Sequence, residues 1–146
     1  PIFNTASEVA YGAVIASLAA FAVIRDAVLG IAPEHPTISL AVAVNTLAGI
    51  TGSSSGGLSI ALGTLGSTYL ERAEAAGISP DLLHRIATVS SGGFDTLPHS
   101  GAVISLLTIT ALTHRQSYFD IAMVSLVVPF LAGVVINILG MLFGSF

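Results

Sequence analysis

The sequence contains no lysine, no cysteine and no tryptophan. Without lysine there is no phosphate loop of the Gly-x-x-x-x-Gly-Lys kind, so this chain is no ATP-driven motor of that type. Without cysteine, disulfides and thiolate metal sites are excluded. Three tyrosines leave almost no aromatic belt to mark membrane interfaces. Charge is scarce as well. Only 8% of the 146 residues are charged, about a third of what a soluble domain carries, and the net charge is -4. No basic run exists, so nucleic acid is not an expected partner. The four histidines are dispersed, with no His/carboxylate cluster beyond Asp95 and His99, so neither a metal site nor a cofactor is expected.

What remains is apolar. Hydrophobic residues make up 53% of the chain and the mean hydropathy is +0.92. So little charge cannot cover a globule, and the composition predicts an all-α integral membrane protein whose main partner is the lipid bilayer. The opening Pro1-Ile2-Phe3-Asn4-Thr5-Ala6-Ser7-Glu8 lacks the cationic start of a signal peptide. The length suits about five membrane-depth segments, fewer than most carriers need. Residues 1–146 are therefore expected to form a single membrane domain, the C-terminal portion of something longer.

The segments divide by their breakers. Residues 9–32 form one apolar run, long enough to span because a helix needs roughly 20 residues for the hydrocarbon core. Arg25 and Asp26 near its end are expected at the interface, the alternative being a buried functional pair. Pro33-Glu34-His35-Pro36 ends it. Residues 37–70 are too long for one straight span and too short for two, and they divide at Thr51–Gly57. Either a re-entrant hairpin or one long span unwound in the middle fits that length. The charged stretch Glu71–Arg85 reads as a solvated loop with a short helix from Pro80 capped by Ser79. Residues 82–112 repeat the interrupted design, broken at Gly92–His99 by paired glycines and Pro98. Thr113–Asp120 reads as a polar loop. Residues 121–143 form a last span, with Pro129 as a kink and Asn137 expected to make an interhelical hydrogen bond.

Irregular backbone at membrane depth persists only where protein buries it or where it lines a cavity. Two such breaks, both rich in hydroxyls and glycines, therefore point to a binding site, as in the discontinuous helices of secondary transporters. At the first break, Thr51, Ser53, Ser54 and Ser55 offer hydroxyls that both donate and accept, and Gly56 and Gly57 permit close backbone approach. The helix end near Leu58 adds unpaired N–H groups suited to a carboxylate. At the second break, Asp95 and His99 are ionisable groups four residues apart, able to handle a coupling proton or to hold the break in shape through a mutual hydrogen bond. Thr96 and Ser100 add contacts, and Ser100 with Gly101 opens the next half-helix. Ser90-Ser91-Gly92-Gly93 echoes Ser54-Ser55-Gly56-Gly57, and two such elements meeting tip to tip would enclose a small solute.

Three strings carry a family resemblance: Asn4-Thr5-Ala6-Ser7-Glu8-Val9-Ala10-Tyr11-Gly12; Gly52–Leu62; and above all Gly93-Phe94-Asp95-Thr96-Leu97-Pro98-His99-Ser100-Gly101-Ala102-Val103-Ile104, followed by Leu112–Tyr118. Over essentially its whole length the chain resembles the C-terminal part of the gluconate permease (GntP) family, in particular its hydroxybutyrate and organic-acid permease branch. The resemblance implies a proton-coupled symporter of a small organic-acid anion, gluconate- or hydroxybutyrate-like, in the inner membrane of a bacterium. It also implies an inverted-repeat fold in which each half holds a re-entrant helical hairpin and a discontinuous transmembrane helix. The order is then a span (9–32), a re-entrant hairpin (37–70), a broken span (82–112) and a span (121–143). In that reading Thr51, Ser53, Ser54, Ser55, Gly56, Gly57, Thr96 and Ser100 hold the carboxylate solute, and Asp95 and His99 handle the coupling ion, H⁺. The chain is then no enzyme. A homo-oligomer is compatible with the reading. The competing classes are a membrane-embedded enzyme using Asp95 and His99 as acid and base, and a structural membrane subunit.

Overall fold

A computed structural model describes residues 2–144. Its regular elements are all helical: α1 (Ile2–Ser17), α2 (Ala19–Gly30), α3 (Pro36–Thr51), α4 (Ser54–Ala75), α5 (Pro80–Ser91), a 3₁₀ turn (Phe94–Thr96), α6 (Gly101–Thr110), α7 (His114–Ala122), a π-helical turn (Met123–Val127) and α8 (Val128–Phe143).

The run expected as one helix over 9–32 is two helices, separated at Leu18. In a continuous helix the Leu18 N–H would donate to the Val14 carbonyl. Here the Ser17 hydroxyl bonds that carbonyl at 2.7 Å, and the Leu18 N–H goes to Ile15 instead. Leu18 is extended (φ -74, ψ 138) and α2 restarts after it. A mid-helix serine competing for the backbone is the physical cause. Arg25 and Asp26 form an exposed pair at 2.9 Å.

α3 and α4 are an antiparallel hairpin. Its two ends show the register: Gly57 meets Ala48 near the turn, and Tyr69 meets Ser39 at the far end. Gly52 makes the turn in the left-handed region (φ 64), where a side chain would be strained. Ser53 then caps α4 by accepting the Gly56 N–H at 3.2 Å. The core gathers around this hairpin. Leu40, Val44 and Leu47 of α3 pack with Ile60, Leu65 and Tyr69 of α4, and Phe21, Val28, Leu83 and Ala87 close the cluster from α2 and α5. The buried Tyr69 hydroxyl lies 2.9 Å from Ser39 Oγ, which also donates to the Val28 carbonyl. Arg72 donates to the Leu29 carbonyl at 3.1 Å. The last carbonyls of α2 are thus satisfied by side chains of the hairpin.

Beyond the hairpin, Gly77 turns the chain (φ 68) and Ser79 caps α5 through the Asp81 N–H, with Pro80 opening the helix as its composition predicts. α5 packs on α8, where Gly140 meets Leu82. A Cβ on Gly140 would stand 2.6 Å from Leu82 Cδ2, the far end of a flexible side chain. Gly140→Ala is therefore expected to destabilise the protein by about 1–2 kcal/mol. Adding Leu82→Ala should make the two changes non-additive, because it vacates the same space. Thermal unfolding of the single and double variants checks this.

The stretch expected as a polar loop at 113–120 is helix α7. Thr113 and Gln116 form a capping box in which the Thr113 N–H donates to Gln116 Oε1 at 2.9 Å. The last helical rod thus runs from His114 to Phe143, 30 residues, and is the one helix among the described residues long and apolar enough to cross a membrane. Only 11% of its most apolar window is buried within the chain. Pro129 does perturb this rod, but upstream of itself. Its ring crowds the carbonyl of residue 125, and the helix widens to a π turn over Met123–Val127.

Candidate functional site

The two breaks lie against each other. The 3₁₀ turn Phe94–Thr96 packs on the end of α3, where Gly49 leaves room. A Cβ there would stand 3.2 Å from Phe94 Cβ. His99 Nε2 donates to the Gly49 carbonyl at 2.8 Å, and Ser100 Oγ donates to the Gly52 carbonyl at 3.1 Å. Ser100 is fully buried. Four residues flanking the breaks thus join two segments far apart in sequence.

The same tie corrects one reading of Asp95 and His99 and engages Ser100. The mutual Asp95–His99 hydrogen bond does not form, because the imidazole is engaged with the Gly49 carbonyl. Ser100 precedes α6 but does not cap it, because its hydroxyl is turned to Gly52. Asp95 is half-buried. The Ser54 hydroxyl lies within hydrogen-bonding reach of its carboxyl. Its Oδ1 is buried without a partner among the described residues.

The hydroxyls of the first break divide by surroundings. Thr51 Oγ1 bonds back to the Leu47 carbonyl at 2.9 Å. Ser53 Oγ accepts the Gly56 N–H and lies 3.3 Å from Ser55 Oγ. Ser55 is exposed, and Ser54 faces Asp95. The helix begins at Ser54, four residues before Leu58, so Gly56 and Gly57 are both helical. Gly57 is buried against α3: a Cβ there would stand 2.3 Å from the Ala48 backbone nitrogen. Its missing side chain serves helix packing. In the second break, Thr96 Oγ1 donates to the Gly93 carbonyl at 3.0 Å.

Two participants escape a reading of composition alone. His114 Nε2 donates to the Pro98 carbonyl at 2.9 Å, and Tyr118 donates to the Thr96 carbonyl at 3.2 Å. They stand one turn apart on α7, with ring centroids 6.0 Å from each other. The signal that could have found them is the Thr113–Gln116 capping box, which makes this stretch helical. With them, the carbonyls of Gly49, Gly52, Gly93, Thr96 and Pro98 all receive a side-chain donor. Helix interruptions away from water need such donors.

A second hollow lies beside the breaks. A cavity of about 430 Å³ opens between α3, α5 and α8, lined by Asn45, Ser90, Gly93 and Asn137 among mainly apolar neighbours. Asn137, expected to bond to another helix, donates instead to the Gly133 carbonyl of its own helix at 3.0 Å.

No family model matches the sequence, and no solved structure matches it. Among curated proteins, one from Bacillus subtilis (strain 168), named uncharacterized transporter YxjC, is 45% identical over 124 residues. The match covers 85% of this chain and 26% of that protein. The chain is an all-helical membrane-type protein similar to about a quarter of a transporter.

Proposed function

We propose that this chain forms part of a secondary carrier of the gluconate permease type, in which the meeting of two interrupted helices binds a small organic-acid anion in a bacterial inner membrane. The observation that carries the reading is the tie between the breaks. His99 and Ser100 of one bond the Gly49 and Gly52 carbonyls of the other, and beside them the Asp95 carboxyl meets the Ser54 hydroxyl while its Oδ1 has no partner among the described residues. Ser53, Ser54 and Ser55 supply hydroxyl donors for the solute carboxylate, Thr51, Gly56 and Gly57 form the helix ends on either side of the turn that presents them, and Thr96 and Ser100 fix the facing wall. Asp95, with His99 beside it, takes up and releases the coupling proton. The α3–α4 hairpin is the re-entrant element, and α5 and α6 are the two halves of the broken span. Similarity to part of a transporter supports this class over an enzyme.

The test is uptake of labelled hydroxybutyrate and gluconate by proteoliposomes holding the intact protein, with product analysis of the lumen. Accumulation of unaltered solute is expected. Ser54→Ala should lower uptake at limiting solute about tenfold, the factor for one hydrogen bond to a charged group. Chemical conversion of the solute, or no uptake of any organic acid, overturns the proposal.

A further inference from the structure

The cavity between α3, α5 and α8 has a chemistry of its own. Its volume, about 430 Å³, lies within the range of small-molecule sites. Its walls include Ile38 and Val134, and no charged side chain lines it. Four polar side chains converge on it from three helices: Asn45 and Thr46 of α3, Ser90 of α5 and Asn137 of α8. Both asparagines donate to the carbonyl four residues back, Asn45 to Ala41 at 2.9 Å and Asn137 to Gly133 at 3.0 Å. Each amide therefore keeps its oxygen for another donor. Asn137 Oδ1 is buried and has no hydrogen-bond partner among the described residues. Ser90 is 95% buried by its 5% exposure, and its hydroxyl has no hydrogen-bond partner among the described residues. A serine or threonine inside a helix usually returns its hydroxyl to its own backbone, as Thr64, Thr88 and Thr108 do here.

We infer that this cavity binds an uncharged amphiphile, an apolar body carrying a hydroxyl that pairs with Ser90 and the asparagine amides. A carboxylate is excluded by its own desolvation, since no cation or charged partner stands there to offset it. The occupant is therefore not the solute proposed for the breaks, and the inference stands independently of that proposal. The uncovered face of α8 beside the cavity gives an apolar route of entry.

The probe is a diazirine-bearing octanol, photolysed on the intact protein in lipid nanodiscs and mapped by mass spectrometry. Labelling is expected on residues 38–46 and 129–141. Excess 1-octanol should suppress it, while octanoate at the same concentration should not. Ser90→Ala should weaken the octanol competition about fivefold, the factor carried by one neutral hydrogen bond. Val134→Phe, which fills the space without touching a polar group, should abolish the labelling. A diacylglycerol that competes equally makes the natural occupant a lipid; competition by octanol alone makes it a free alcohol. Labelling spread evenly over the exposed apolar residues, or equal competition by octanoate, overturns the inference, whatever the two variants do.

Discussion

Gly57→Ala is expected to cost at least about 3 kcal/mol, the largest loss of any glycine-to-alanine change among the described residues. The added Cβ would stand 2.3 Å from the Ala48 nitrogen and 2.4 Å from Ala48 Cα. Both are backbone atoms, and the Gly52–Ser53 turn is only four positions away on each side, so neither helix can yield without moving the turn. At Gly140 the obstacle is the end of a leucine, which can swing aside. At Gly63, in the same helix as Gly57, a Cβ meets nothing within 4 Å. There alanine should be neutral or stabilising by about 0.5–1 kcal/mol through helix propensity. Thermal unfolding of the purified intact protein, with Gly63→Ala as the internal control, checks the contrast. Equal midpoints for the two variants would refute the close crossing of α3 and α4.

Asp95→Asn is expected to bring gradient-driven accumulation to background while solute exchange across the membrane continues. Asparagine keeps the shape of the carboxyl and keeps Oδ1, but it cannot take up a proton. Ser54 and the buried position of Oδ1 give the side chain a defined place in either variant. The matched control is Asp26→Asn, an exposed carboxylate paired with Arg25, which should leave accumulation unchanged. His99→Gln retains a donor for the Gly49 carbonyl and removes the titration. Loss of accumulation in both Asp95→Asn and His99→Gln assigns the proton to the pair; loss in Asp95→Asn alone assigns it to the carboxyl. Full gradient-driven accumulation in Asp95→Asn, measured with an imposed pH difference across the vesicle, would sink the coupling role.

Breakers were the most legible part of the sequence. The break after Thr51, Pro33–Pro36 as the end of a helix, Pro80 as a helix start, Ser79 as a cap and the irregular Gly92–His99 all follow from what glycine, proline and serine do to a backbone. The meeting of the two breaks was legible only as a possibility raised by their shared composition. Which atoms join them was not, because a hydrogen bond between residues 50 positions apart depends on how the hairpin packs. That is why His99 reads as a partner for Asp95 in the sequence and bonds Gly49 in the fold. Gly57 was misread for a similar reason. A glycine announces close approach but does not name what approaches, and here it is Ala48 rather than a ligand. Leu18 and the π turn were missed because their causes, Ser17 and Pro129, act on carbonyls three and four residues upstream. Asn45 and Thr46 gave no signal at all, and Ser90 read only as part of an echo of the first break. Polar residues scattered through apolar helices acquire meaning only when three helices bring them to one cavity.

The π turn at Met123–Val127 has a consequence for how the last helix works as a ruler. A turn of this kind holds one residue more than the regular helix, so everything after it is rotated by about 100°, one residue's angular step. Upstream, His114 and Tyr118 point at the second break. Downstream, Gly140 points at Leu82 of α5. The phase between these two attachments is written into the widened turn. Without it, the rod could meet the break or meet α5 in register, and one of its two grips would face away.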